Sequence, residues 1–237
     1  ITCRDWSSDV CSSDLGFKYF TKDHIINQNN VKIFTDYIMH MCQNNSTAAN
    51  YIIMWIAHII QKPNSKTNMP IYLLFDGKNN PTKILIDIIK ILFGTYAYNL
   101  DGVSIGNYTN RFNVFGKLIV YGSVTKVSNI KYINNICSIC TTKNIFTKHK
   151  NKKTVTRDSY SNYFFVTEDR SFTNIPLDNR SYCLIECSDK FIIDNSFYDI
   201  LNYNLVDIFM YLANINLSNF CIHNIEKINH IDNNSNN

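Results

Sequence analysis

The segment Gly77-Lys78-Asn79-Asn80-Pro81-Thr82-Lys83-Ile84 holds a glycine and a lysine at the spacing of a phosphate-binding loop, G-x-x-x-x-G-K-[ST]. In such a loop, backbone N–H groups close around phosphates, the lysine meets the outer phosphates, and the final hydroxyl holds Mg²⁺. Gly77 and Lys83 stand in their places, whereas Thr82 replaces the second glycine and Ile84 replaces the hydroxyl. A β-branched residue at 82 crowds the point where the backbone must pass closest to a phosphate. Ile84 offers a metal no oxygen. The candidates for nucleotide contact are therefore Gly77, Lys78, Asn79, Asn80, Thr82 and Lys83, with no metal ligand among them. An ordinary surface turn carrying a lysine would read the same way.

A second group is basic. Lys143, Lys148, His149, Lys150, Lys152, Lys153 and Arg157 crowd one polar stretch. Phosphate contacts from such a run are independent of base sequence and sensitive to salt, as in single-strand binding. A solvated loop is the plain alternative. Cys137-Ser-Ile-Cys140 has zinc or redox spacing, yet no second pair completes four ligands, so two reduced, partly buried thiols are expected. His58 lies in an apolar run and reads as a satisfied core residue. Asp87 and Asp101 are lone acids. No hydrolase triad, paired carboxylates of a glycosidase or dinucleotide glycine pattern stands out.

The elements that must position these groups follow from hydropathy. Ile33, Phe34, Tyr37, Ile38 and Met41 recur at helical spacing within a polar stretch, and residues 51–61 form an apolar helix stopped by Lys62-Pro63. The runs at 71–75, 118–121, 163–166 and 182–187 are short and apolar throughout, as strands buried on both faces are. Helices are expected at 83–93, closed by Gly94, at 130–139 and at 197–214. The basic stretch at 143–157 suits a loop or hairpin. Alternating strands and helices predict an α/β fold with a largely parallel sheet covered on both faces. No internal repeat is visible.

Composition narrows the class further. The chain has 237 residues, 45% hydrophobic and 18% charged, enough for one α/β domain with a substantial core or at most two small ones. Residues 5–15, Asp-Trp-Ser-Ser-Asp-Val-Cys-Ser-Ser-Asp-Leu, match the in-frame translation of a common sequencing adapter, so residues 1–15 are set aside. They contain Arg4 and three aspartates; the remainder carries 22 basic and 16 acidic residues. That mild positive balance permits nucleic-acid contact. No apolar run approaches the roughly 20 residues of a membrane span. Reduced thiols suit a cytoplasmic setting, in a host cell or a viral replication site.

From about Tyr51 to Phe220 the chain resembles the helicase domain of the NrS-type phage primase-polymerase family, a superfamily 3 helicase group with poxvirus-type primase-helicases among its relatives. Four segments carry the resemblance: residues 55–63 (WIAHIIQKP) before the nucleotide strand; Leu92-Phe93-Gly94 followed by Arg111-Phe112-Asn113; residues 161–167 (SNYFFVT), similar to the sensor strand; and Asp178-Asn179-Arg180-Ser181-Tyr182 with residues 207–220, similar to the arginine motif and closing helix. The resemblance implies a P-loop NTPase fold of the AAA+ kind, ATP and Mg²⁺ as cofactors, Arg180 as the catalytic arginine, and single-stranded DNA tracked by a hairpin bearing Lys148, His149, Lys150, Lys152 and Lys153. It also implies a hexamer-like ring of identical subunits and a primase or polymerase domain upstream.

This chain departs from that pattern where the family does its chemistry. Gly122-Ser123 stand where acids should follow the second nucleotide strand, Thr167-Glu168 replace the sensor asparagine, and Asn179 replaces one of two arginines. Phosphoryl transfer depends on metal, neutralised charge and a placed water, so ATP binding is doubtful and hydrolysis is expected to be weak or absent. An NTP-driven DNA helicase with a divergent site, a non-catalytic DNA-binding or assembly module, and a decaying gene copy all remain compatible with the residues. The expected organisation is a helical segment at 16–62, an ATPase-like domain at 63–228 and an Asn-rich tail at 229–237.

Overall fold

The computed structural model describes residues 17–21, 23–75, 80–100, 114–124, 138–147, 155–170, 182–188 and 204–222. Of the helix expected over 130–139, residues 130–137 lie outside them while 138–141 are helical; the first part of the helix expected from 197 and the tail also lie outside.

Two helices come first. Helix α1 spans Gln28–Met41 and is capped by Asn27, whose side chain accepts the Asn29 N–H. Gln43 and Asn44 then take φ 57° and 61°, ending the helix in the left-handed region that asparagine tolerates better than glutamine. Asn45 caps α2, Ser46–Gln61, by accepting the Ala48 N–H. This helix begins five residues earlier than the apolar run at 51–61 suggests, because Ala48 and Ala49 are buried although their small side chains add little hydropathy. Thereafter the chain forms β1 (Ile71–Leu74), α3 (Thr82–Phe93), a short 3₁₀ turn, β2 (Ala97–Asn99), β3 (Ile119–Val124), the hairpin strands β4 (Asn144–Thr147) and β5 (Val155–Asp158), β6 (Asn162–Thr167), β7 (Cys183–Glu186) and α4 (Leu205–Asn214).

Among the described residues, five strands form one sheet in the order β2-β3-β6-β1-β7. Every pairing in it is parallel. Strand β1 is interior, with Leu73 level with Val166 of β6 on one side and Ile185 of β7 on the other. Alternation along the strands divides the core in two. Ile71, Leu73, Phe75, Ile119, Phe164, Val166 and Ile185 face a large cluster with the buried sides of α1, α2, α3 and α4. Tyr72, Leu74, Val120, Val124, Tyr163, Phe165 and Leu184 face the other side, where Leu100, Val114 and Cys140 cover them. The α/β fold with a parallel sheet flanked by helices is thus present as expected. The sequence-level strand at 118–121 is longer here: it runs through Gly122 and Ser123 to Val124, because β6 pairs with all six residues in unbroken register.

Asp207 fastens the start of the chain to its closing helix. Its Oδ1 lies 2.7 Å from His24 Nε2 and accepts the Asn27 N–H at 2.9 Å, while Oδ2 accepts Asn30 Nδ2–H at 2.7 Å. Burial alone would raise this carboxyl, but the hydrogen bonds from Asn27, Asn30 and His24 outweigh it and hold it below the usual carboxylate value of 3.8. A carboxylate depressed on folding stabilises the native state above its unfolded pKa, and that contribution is lost as pH falls through the folded one. Asp207→Asn should therefore cost roughly 1.5–3 kcal/mol near neutrality. The gap from the parent should narrow below about pH 4 in urea titrations. A gap constant from pH 7 to pH 3 would contradict this account.

Candidate functional site

The sheet positions the phosphate-loop segment by the ordinary logic of open α/β folds, in which ligands bind beyond the carboxyl ends of the strands. The Phe75 N–H donates to the Thr167 carbonyl at 2.9 Å, and the Cys187 N–H donates to the Leu74 carbonyl at 2.8 Å, so β1 is held by both neighbours to its last residue. Gly77, Lys78 and Asn79 lie outside the described residues. Asn80, Thr82 and Lys83 stand together at the start of α3, the first element described after β1.

At that helix start one backbone donor is missing and another is engaged. Asn80 Oδ1 accepts both the Thr82 N–H, at 3.0 Å, and the Thr82 hydroxyl, at 2.5 Å. Pro81 has no N–H to offer, and its φ of −69° suits a helix start. Its carbonyl accepts the Tyr37 hydroxyl at 2.7 Å, which ties the turn to α1. Thr82 is fully buried and Lys83 is exposed. Ile84 is 1% exposed and packs in the main core with Leu85, Ile88, Ile89, Leu92 and Phe93 along the same helix.

Among the described residues, the carboxylates at the neighbouring strand ends are Glu186, level with Leu74 on β7, and Glu168 and Asp169 just past β6. Strand β3 has no carboxylate, and Val124 takes the row level with Thr167. On the other side Leu74 shares that row. Thr167 is buried and its hydroxyl accepts the Asp169 N–H at 3.1 Å, so it caps its own turn. Glu168 is exposed. Among the described residues no group of three or more His, Cys, Asp or Glu could hold a metal ion. Arg180 lies outside the described residues.

The basic stretch forms an antiparallel ribbon, with Asn144 opposite Asp158 and Thr147 opposite Val155. Lys148, His149, Lys150, Lys152 and Lys153 fall in the connection between its strands, outside the described residues. Cys140 is buried, as are Cys42, Cys183 and Cys187, and burial pushes the Cys42 thiol up to about 12. His58 is buried with Nε2 3.2 Å from the Ser65 carbonyl; burial lowers its pKa, as suits a core histidine. The partners that the residue pattern did not disclose are Tyr37 and Lys66. Only the place of Tyr37 on the apolar stripe of α1 hinted that it points inward, and nothing in the chain's spacing marked Lys66.

A five-stranded parallel sheet in this order, with helices packed against it, is an α/β fold shared with solved helicase-type structures. Among solved structures, an apo structure of the NrS-1 C terminal region aligns with a TM-score of 0.64 at 21% identity, covering 86% of this chain and 48% of that one. The A form of the same region aligns at 0.63 with the same identity and coverage. A JCV helicase structure overlaps at 0.48 with 12% identity. The expected resemblance to the NrS-type group therefore holds at the level of fold, and the chain spans about half the length of the NrS-1 chains it matches. No protein-family model and no curated protein matches it. Among the described residues, no helix is long and apolar enough to cross a membrane.

Proposed function

We propose that this chain is a helicase-like module of a viral or phage-type replication protein, in which ATP hydrolysis is weak or absent and the basic hairpin holds single-stranded DNA. The fold supports the first part. The observation that carries the second is the start of α3: Ile84 is committed to the core, Pro81 brings no N–H, and the Thr82 N–H is taken by Asn80. These residues do not fit Mg²⁺–ATP as a phosphate loop holds it, since the metal hydroxyl is missing, Pro81 has no donor and the Thr82 N–H is engaged. Lys83, and Arg180 if it faces a neighbouring subunit, are the remaining cationic groups of the family's type. Assembly into a ring of identical subunits, and a primase or polymerase domain upstream, belong to the same proposal.

Phosphate contacts need only cations and chain geometry, so DNA binding can outlast the loss of turnover. Purified protein with single-stranded DNA and Mg²⁺–ATP should release phosphate roughly a thousandfold or more below an intact enzyme of this chemistry. Lys83→Ala should leave that background unchanged. Turnover that disappears in Lys83→Ala would overturn the proposal and restore the reading as an active motor.

A further inference from the structure

The hairpin hangs from the end of the sheet opposite the phosphate-loop segment, because it lies in the crossover that returns from β3 to the amino-terminal end of β6. A two-stranded ribbon is marginal by itself and needs support from its surroundings. At its exit, the Ser159 N–H donates to the Lys143 carbonyl at 2.6 Å, and the Ser161 hydroxyl donates to the carbonyls of Val114 and Lys117 at 3.0 and 2.8 Å. At its entry stands a residue from a distant part of the chain. Lys66 Nζ donates to the Thr142 carbonyl at 2.9 Å and lies 5.4 Å from the centre of the Tyr163 ring. Thr142 itself closes the helical turn over 138–141, with its N–H and hydroxyl both donating to the Ser138 carbonyl.

We propose that Lys66 is the positioning residue of the β4–β5 hairpin, pinning its entry to the sheet through Thr142 and Tyr163. Lys66 precedes Thr67, whose N–H and hydroxyl both bond Asn162 at the first position of β6. The pin is therefore anchored to the fixed end of the strand beneath it. Its ammonium is drawn partly out of water, and burial lowers its pKa to about 8 against an opposing effect of Cys140, so it stays charged at neutral pH. Contact with an aromatic face gains strength under such desolvation. The part of this inference that concerns DNA rests on the functional reading above.

The test compares Lys66→Met, Lys66→Arg and the tip variant Lys150→Ser by hydrogen exchange and by binding of a fluorescent oligothymidylate over a salt series. Lys66→Met should speed exchange in β4 and β5 roughly tenfold while β1 and β6 stay protected. Lys66→Arg should keep most of the protection, since a guanidinium retains both a donor and the ring contact. Affinity should fall several-fold in Lys66→Met at an unchanged salt slope, whereas Lys150→Ser should reduce the slope by about 0.7. Unchanged hairpin exchange in Lys66→Met, or a reduced salt slope there, would overturn the assignment. If the parent protein binds no oligothymidylate, the DNA reading fails, and hydrogen exchange alone decides the role of Lys66.

Discussion

Ile84→Ser, which puts a hydroxyl back at the metal position of the phosphate loop, is expected to lower the unfolding free energy by roughly 3–5 kcal/mol. It should add no measurable Mg²⁺–ATP binding. Ile84 is buried in the core cluster that α3 shares with the sheet, so serine would leave a cavity and a hydroxyl in apolar surroundings. Cavity and transfer costs for such a truncation usually reach a few kcal/mol, and an unsatisfied hydroxyl adds about 1–3 kcal/mol. Ile84→Val separates the two contributions: it removes one methylene, keeps the surface apolar, and should cost only about 0.5–1.5 kcal/mol. Guanidinium unfolding measures the losses, and calorimetric titration with Mg²⁺–ATP measures any gain. A serine variant of near-parental stability that binds nucleotide would show that position 84 still belongs to a nucleotide site.

Once the residue at 84 packs as part of the helix stripe Ile84, Leu85, Ile88, Ile89 and Leu92, it contributes to stability, and reversal carries a cost. Asn80 acts in the same direction. Its carboxamide oxygen gives the Thr82 N–H a partner within the chain, so the helix start has less need of an external anion.

The strands were legible because parallel strands between covering layers are apolar on both faces, and runs such as Ile71–Leu74 and Asn162–Thr167 carry that signature. The edge strand Ala97–Asn99 was not, since its three residues are half-buried or exposed and offer neither an apolar run nor alternation. Gly122 and Ser123 read as a strand end because glycine and serine favour turns, yet β6 pairs beyond them and pairing prevails over local preference. The strand order, with β6 between β1 and β3, is a long-range matter that no local period encodes. At the site, residue types announced the missing metal hydroxyl. The bond from Tyr37 to the Pro81 carbonyl, 44 residues away, could come only from the fold.

Asn162 should be the most costly polar position to change. It is buried at the first position of β6, where Oδ1 accepts the Thr67 N–H and the Thr67 hydroxyl, both at 2.8 Å. Its Nδ2 donates to the carbonyls of Leu118 at 3.2 Å and Tyr160 at 3.1 Å. One carboxamide thus joins the approach to β1, the start of β3 and the exit of the hairpin, while Trp55 Nε1 completes the network through Thr67 and Met69. Asn162→Leu keeps the volume but strands the Thr67 N–H, and the loss should be roughly 2–4 kcal/mol. Asn162→Asp keeps the acceptor for Thr67 and turns the other end into an oxygen facing two carbonyls. Its ionised form would be buried among acceptors, so aspartate should be worse than leucine at pH 7 and recover partly as pH falls and the acid becomes a donor. For a chain of this size each kcal/mol moves the melting temperature by about 2–4 °C, so thermal scans at pH 7 and pH 5 can rank the variants. An aspartate variant as stable as the parent at pH 7 would mean that the Nδ2 contacts contribute nothing.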